Sequence, residues 1–456
     1  MSPAITIIGG GFSGALLAMR LAHAAPDRTI HLIERQRRAG VGLAYGACET
    51  HHLLNVPTSR MELGLSPSFA DWLATRTDFT VQDGGALADA FAPRALFGRY
   101  VEERLAEAKT VRRLRGDAVR VSRTERKVFL ADGRAIDADI VVLATGNRPP
   151  APLRDAHDGR QAVPDPWSRD AFDDLDVDAP VLFIGAGLTM VDIALSLAAR
   201  GHSGEMIALS RHGLLPTRHE SGGTWPAFLA SPESQTARGA FALVRREITR
   251  AVAAGVPWRR VIDAARPEVA RVWRSWPRSE RARFLRHARA YWDIHRHRMA
   301  PQIADALDAL RASGQLRVMA GRVVDSRDGE VRVRRRRGPD VETVRIARVF
   351  NCTGPASDFA RIEEPLFADL RRNGLMRADA LHLGIETEES AFVDARGAPS
   401  HWLFALGPLT RPAFWEVTAV PEIRAQVDAL AHRLLHDAPR PATDLADAFG
   451  DLGAGI

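Results

Sequence analysis

Ile5-Thr6-Ile7-Ile8-Gly9-Gly10-Gly11-Phe12-Ser13-Gly14, continued by Ala15-Leu16-Leu17-Ala18-Met19-Arg20-Leu21-Ala22, is the stretch on which the fold turns. Three isoleucines and a β-branched threonine predict a short strand, the glycines a tight turn, and the alanine-leucine run a helix. A second apolar strand, Thr29-Ile30-His31-Leu32-Ile33, ends on Glu34, twenty residues past Gly14. Strand, turn, helix, strand and acid in that register predict a dinucleotide-binding βαβ unit. Gly9 permits the turn, Gly11 lets the backbone approach a pyrophosphate, and Gly14 lets the helix pack close on the strand. The amino end of the helix offers unpaired N–H groups and the positive end of its dipole to the phosphates. Glu34 offers acceptors to ribose hydroxyls. The competing reading is a glycine-rich turn that holds no ligand.

A second unit occurs midway. The strand Val181-Leu182-Phe183-Ile184 runs into Gly185-Ala186-Gly187-Leu188-Thr189-Met190, then into an apolar helix, and then the strand Met206–Leu209. Met190 occupies the third glycine position, so this helix is expected to stand further from its strand. The second strand ends not on an acid but on Ser210 and Arg211. A carboxylate there would bind a ribose 2′-hydroxyl and repel a 2′-phosphate, whereas arginine accepts the phosphate. The first unit therefore reads as FAD-type and the second as NADPH-type. Asp139–Gly146 is a buried strand ending in Ala144-Thr145-Gly146, and Val349–Pro355 repeats the device with Gly354.

The chain has 456 residues, 46% of them hydrophobic, enough for about two to three domains with real cores. Its formal charge of +6 rests almost wholly on arginine, since Lys109 and Lys127 are its lysines. A bias spread over every basic position does not mark a nucleic-acid face. Arg334–Arg337 precedes the turn Gly338-Pro339-Asp340 and follows alternating Val331-Arg332-Val333-Arg334, which predicts a solvated hairpin. Cys48 and Cys352 sit in no CxxC, which argues against a zinc site and a disulfide-reductase centre. His295 and His297 are two apart on a predicted helix and have no HExxH context, so no metal is expected. No GxSxG is present. No apolar run approaches the roughly 18 residues of a membrane span. The opening MSPAIT has no leader pattern, so a cytoplasmic enzyme without membrane or nucleic-acid partners is expected.

Residues 225–312 read as helical, with helices over Ala240–Ala254, Pro267–Trp276 and Ser279–His297. Trp258, Trp273 and Trp276 are expected between those helices. A β-meander is predicted from Leu316 to Thr353, then a strand over Trp402–Leu406, the turn Gly407-Pro408 and a helix over Pro421–Leu435. The tail Asp437–Ile456 has a mobile composition. The expected fold is α/β, with two Rossmann-like dinucleotide-binding domains. The FAD-binding domain is discontinuous (1–165 and 355–456), and the NADPH-binding domain (176–354) carries a helical insertion at about 225–312.

Six strings carry a resemblance: Gly42–Gly46, His52–Pro57, Arg60-Met61, Gly187–Asp192, Tyr291–Arg298 and Trp415–Glu422. On these the chain resembles the two-dinucleotide-binding flavoproteins over nearly its whole length. Among them it looks like the bacterial FAD/NAD(P)-binding protein family, most of whose members lack an assigned reaction. The layout is more distantly similar to flavin-containing and N-hydroxylating monooxygenases. Asp139–Gly146 fits the closing pattern of the N-hydroxylases, though Asn147 stands where they usually have tyrosine. The fingerprint of Baeyer–Villiger enzymes is absent.

The resemblance implies an FAD set of Gly9, Gly11, Phe12, Ser13, Gly14, Glu34, Arg35, Gly42, Leu54, Asn55, Val119, Thr145, Gly146, Gly407, Pro408 and Val420. It implies an NADPH set of Gly185, Gly187, Leu188, Thr189, Ser210, Arg211 and Gly354. The helix opening near Pro421 is a candidate to stabilise reduced flavin. Asn55 is the candidate catalytic residue, its amide set against the flavin; the alternative is a loop asparagine satisfying backbone beside Pro57. Tyr291, Trp292, His295 and Arg298 could face substrate or another domain, or simply pack. The implied activity is NADPH-driven oxygenation, with O2, of a small nitrogen or sulfur nucleophile through a C4a-peroxyflavin. A flavoprotein reductase or dehydrogenase without oxygenation, and a non-enzymatic nucleotide-binding assembly protein, are the alternatives.

Overall fold

The computed structural model describes residues 3–81, 85–153, 162–168 and 170–436. The tail Asp437–Ile456 lies outside the described residues. The chain opens with β1 (Ile5–Ile8), α1 (Phe12–Ala24) and β2 (Ile30–Glu34). α2 (Gly42–Gly46), α3 (Phe69–Ala74) and α4 (Arg94–Glu107) lead to β3 (Val111–Arg115). β4 (Ala118–Ser122), β5 (Lys127–Leu130) and β6 (Ala135–Asp137) form a small antiparallel sheet, and β7 (Ile140–Leu143) returns beside β1. In the second half, β8 (Ala162–Val163) and β9 (Val181–Ile184) precede α5 (Leu188–Ala199) and β10 (Met206–Ser210). The insertion contains α6 (Ala237–Ala253), α7 (Trp258–Ala265), α8 (Val269–Ser275), α9 (Arg278–His287), α10 (Arg289–Arg296) and α11 (Pro301–Ala312). Then come β11 (Leu316–Arg327), β12 (Glu330–Arg335), β13 (Val341–Arg345) and β14 (Arg348–Asn351). α12 (Pro365–Arg372), β15 (Thr387–Glu388), β16 (Ala391–Val393), β17 (Pro399–Ala405), α13 (Arg411–Phe414) and α14 (Val420–His436) complete the chain.

Two seven-stranded sheets organise these elements. The first has the order β15-β16-β17-β7-β1-β2-β3, so strands from both ends of the chain share it. Its centre is parallel, with Ile5 opposite Ile30 on one side and Ile140 on the other. β1 and β7 are buried along their whole length, as parallel strands covered on both faces must be. One face packs Leu16 and Leu17 of α1 with Phe97 and Tyr100 of α4 and Leu430 of α14. The other packs Phe367 of α12 and Trp402 against Val128 of the small sheet. The second sheet runs β13-β12-β11-β10-β9-β14-β8.

Ala162–Val163 was expected in the first domain, but β8 pairs with β14 in the second sheet. Leu316–Thr353 is not a meander throughout: β11 runs parallel to β10, and β14 crosses back to lie parallel to β9. Only β11-β12-β13 are antiparallel neighbours, with Val331 and Val333 buried and Arg332 and Arg334 exposed, as the alternation predicts. Alternation reports which face is wet but not which strand is the neighbour. The helix expected over Ser279–His297 breaks at Ala288 (φ −112°), because its halves bury different partners. Phe284 of α9 packs on Trp273 and Trp415, while Trp292 of α10 reaches Glu416. Trp273 and Trp276 are buried, and Trp273 stacks on Trp415 with centroids 4.6 Å apart. The insertion thus shares a core with the carboxyl-terminal segment.

Candidate functional site

The first site lies at the carboxyl end of β1. Gly9 has φ +103°, and a Cβ there would stand 2.4 Å from the Ala144 carbonyl oxygen. A Cβ on Gly14 would stand 2.0 Å from the Gly9 carbonyl oxygen, so glycine is required at Gly9 for the turn to pass the end of β7 and at Gly14 for the helix to pack on the turn. Phe12 and Ser13 open α1 and are buried. No side chain caps α1 at Gly11, which leaves its first-turn N–H groups available to an anion. Gly42 approaches Gly11 closely: a Cβ on Gly11 would meet the Gly42 Cα at 3.4 Å. The Glu34 carboxylate accepts hydrogen bonds from the Gly10 N–H (2.8 Å) and the Gln36 N–H (2.7 Å), which fixes the acid beside the turn. Arg35 is exposed next to it.

The carboxyl-terminal segment completes this end. Gly407 has φ +69°, and a Cβ there would stand 2.9 Å from Ser13 Oγ. Gln426 on α14 pins the turn: its Oε1 accepts from the Gly407 N–H at 2.9 Å and its Nε2 donates to Thr410 Oγ1 at 2.8 Å. α14 begins at Val420, which is buried in the same core as Leu16 and Leu17. Leu54 is buried there too, whereas Val119 is half-buried on β4. The Thr145 hydroxyl is buried and has no hydrogen-bond partner among the described residues. An unmatched buried hydroxyl beside uncapped helix N–H groups and a glycine cradle fits a bound dinucleotide.

The second unit repeats the device. Gly185 has φ +110°, and a Cβ there would stand 2.2 Å from the Cys352 carbonyl oxygen. Gly187 caps α5 without a side chain, and its Cβ direction is open space. A cleft of ≈ 900 Å³ opens here. Gly185, Gly187, Leu188, Thr189, Ser210 and Arg211 line it from the second sheet; Gly354, Gly146 and Pro408 line it from the segments that link or face that sheet. Arg148, Arg289, Arg322 and Arg411 add cationic character, with Asp293 as the acid among the lining residues. Burial, with Arg289 nearby, pushes the Arg411 pKa down to about 10, so it stays charged at neutral pH. Burial also lowers His297 on the same wall, although Glu416 opposes the shift.

Asn55 does not join this cleft. It lines a separate cavity of ≈ 1020 Å³ between the 50–60 loop, α7 and α11. His52, next to that loop, is buried and shares a hydrogen bond (2.9 Å) between its Nε2 and Ser196 Oγ of α5. Arg94 at the start of α4 forms a two-pronged pair with Asp192 of α5, at 2.7 and 3.1 Å. Burial lowers the His52 pKa most, Asp192 partly offsetting it, which favours the neutral ring. These contacts fix the second dinucleotide helix against the first half of the molecule. Sequence reasoning gave no role to Arg94, Asp192, His52, Gln426 or Glu416. Their signal was weak: a polar residue in an apolar helix, as Asp192 is in Val191–Ala198, marks a buried partner without naming it.

Residues 6–148 match the family profile described as FAD-NAD(P)-binding. The uncharacterised protein YdhS of Escherichia coli (strain K12) is 25% identical over 213 residues, a stretch covering 42% of this chain and 39% of that protein. The chain thus spans about two fifths of the length of the curated relative it matches. The ornithine N-hydroxylase of Kutzneria sp. 744 superposes with TM-score 0.62 at 15% identity, covering 96% of this chain and 100% of that one. The FAD-bound cadaverine monooxygenase of Erwinia amylovora gives TM-score 0.64 at 13% identity, covering 96% and 95%. The bacillithiol disulfide reductase of Staphylococcus aureus gives 0.58 at 12% identity, covering 96% and 100%. The fold is that of the two-dinucleotide-binding flavoproteins. Its amino-terminal third carries the FAD-NAD(P)-binding signature on the turn, helix and acid described above.

Proposed function

We propose that this chain is an FAD-dependent, NADPH-using oxidoreductase that oxygenates a small nitrogen or sulfur nucleophile. The observation that carries the reading is the cleft in which Gly187 and Arg211 of the second unit face Gly146 and Pro408, the segments that close the first. The turn Gly9–Gly14, Glu34 and the Thr145 hydroxyl would hold FAD; Gly185–Thr189 and Arg211 would hold NADPH. When bound, the flavin accepts hydride from the nicotinamide and in its reduced form activates O2. The chain's own contribution is to bind, orient and shield. α1 and α5 aim their amino-terminal N–H groups at pyrophosphates, and Arg94–Asp192 keeps the second unit in register with the first. Anaerobic mixing with NADPH or NADH, followed by flavin bleaching, tests the reading: fast bleaching by NADPH is expected, and none with either nucleotide would sink it.

Arg211 is exposed at the end of β10, where it can meet a 2′-phosphate. Arg211→Ala is expected to raise the KM for NADPH about 10- to 100-fold, the worth of one charge-assisted contact, with NADH kinetics unchanged. Equal effects on both nucleotides would remove the specificity role. Asn55→Ala is expected to retain FAD yet release more H2O2 per NADPH consumed. Unchanged coupling in this variant would leave Asn55 a loop residue.

A second reading is a reductase that passes no oxygen to substrate. The likeness to a disulfide reductase favours it, at coverage equal to that of the N-hydroxylase. Cys352 does not suit thiol chemistry, because burial pushes its pKa well up. Recovery of all consumed O2 as H2O2, across a panel of amines and thioethers, would select this reading.

A further inference from the structure

The cavity behind Asn55 is separate from the dinucleotide cleft. The carboxyl end of α10 divides the two spaces: Asp293 and His297 line the cleft, while Arg296 and Arg298 line the cavity. Four guanidinium groups, those of Arg260, Arg266, Arg296 and Arg298, crowd one wall. Three carboxylates answer them. Asp263 pairs with Arg298 and Arg260, Glu422 with Arg266, and Glu416 lies 3.0 Å from Arg296.

The wall also has hydrogen-bonding capacity left over. Arg298 is 5% exposed and donates from one nitrogen to Asp263; its Nε and Nη1 have no partner among the described residues. Arg296, 6% exposed, is already answered: its Nε lies 3.0 Å from Glu416 Oε2 and its Nη2 3.6 Å from Glu422 Oε1. Buried guanidinium N–H groups without acceptors are costly, and an anion in the cavity would supply them. His219 lies on the same wall, and burial, with Arg298 beside it, lowers its pKa to about 4. It is therefore neutral at pH 7 and adds no charge. The rest of the lining is mixed: Phe79, Phe91 and Ile303 are apolar, while Arg60, Asp78, Asp89, Arg218 and Glu220 are charged. The unpartnered N–H groups of Arg298 suit a carboxylate, and the apolar faces of Phe79, Phe91 and Ile303 suit an organic body.

We propose that this cavity binds a small organic carboxylate, with its charged end on Arg298 and its body against Phe79, Phe91 and Ile303. The inference goes beyond the oxidoreductase reading, and the binding is independent of it.

Calorimetric titration of the FAD-loaded protein with hexanoate and with hexanamide tests the assignment. Hexanoate is expected to bind about tenfold or more tighter than the amide, and Arg298→Met to erase that difference by weakening hexanoate alone. Arg298→Met leaves Asp263 without its closest partner. The double variant Asp263→Asn/Arg298→Met, which removes both charges, is expected to show the same loss and serves if the single variant does not fold. Equal affinities for acid and amide overturn the proposal, as does undiminished hexanoate binding in either folded variant. Intact hexanoate binding without NADPH-driven bleaching would instead sink the oxidoreductase reading and leave this one standing.

Discussion

Gly14→Ala is expected to purify without flavin. The added Cβ would stand 2.0 Å from the Gly9 carbonyl oxygen and 3.2 Å from its carbon, and both are backbone atoms that cannot swing aside. α1 must therefore lift from β1, and the lift displaces the first-turn N–H groups from the phosphate position. Overpacking of this kind costs about 1–3 kcal/mol in a close-packed core, and α1 contributes Leu16 and Leu17 to that core. The ratio of flavin to protein absorbance, read alongside the denaturation midpoint, checks both effects. Gly11→Ala provides the contrast. Its Cβ would meet the Gly42 Cα at 3.4 Å, an ordinary contact, so stability is expected within about 1 kcal/mol of the parent. That methyl nonetheless points to the groove between Gly11 and Gly42, and FAD affinity is expected to fall. A Gly14→Ala protein with full flavin content would refute the assignment of this turn.

Glu416→Leu is expected to be the most destabilising exchange outside the glycine turns. Glu416 is buried, accepts the Trp292 indole N–H at 2.6 Å, and places Oε2 3.0 Å from Arg296 Nε. Burial pushes its pKa up, but Arg296, His297 and the Trp292 hydrogen bond outweigh burial and hold it below the usual carboxylate range. Its contribution is therefore fully present above about pH 4.5 and is lost as the pH falls through its lowered folded value. Removing it leaves Arg296 buried beside Arg266 with only Glu422 between them. Stranding a buried charge costs about 3–5 kcal/mol, read as a drop in denaturant midpoint. Arg296→Met combined with Glu416→Leu is expected to recover much of that loss, since it strands neither charge. Additive losses in the double variant would show that the two residues act separately.

The two dinucleotide turns were legible because each is local. A glycine at φ +103° or +110°, a strand before it and a helix after it lie within about fifteen residues, and the steric demand falls on glycine itself. The wet-faced hairpin at Val331–Arg334 was legible for the same reason. Less local features were not. The pairing of β8 with β14 and the parallel placement of β11 beside β10 involve residues more than a hundred apart, and alternation says nothing of neighbours at that range.

The candidate site divides along the same line. The amino-acid sequence by itself determined the α/β class, the doubled dinucleotide unit and the residues at each glycine turn, because backbone sterics and hydrophobic period act within one supersecondary unit. Tertiary structure alone decided that Asn55 faces a second cavity, that α10 separates this cavity from the cleft, and that Arg296 meets Glu416 and Glu422 while Arg298 meets Asp263. Those charges lie on segments joined only by packing. Whether an arginine is solvated or buried depends on what packs over it, and no short stretch of sequence carries that information.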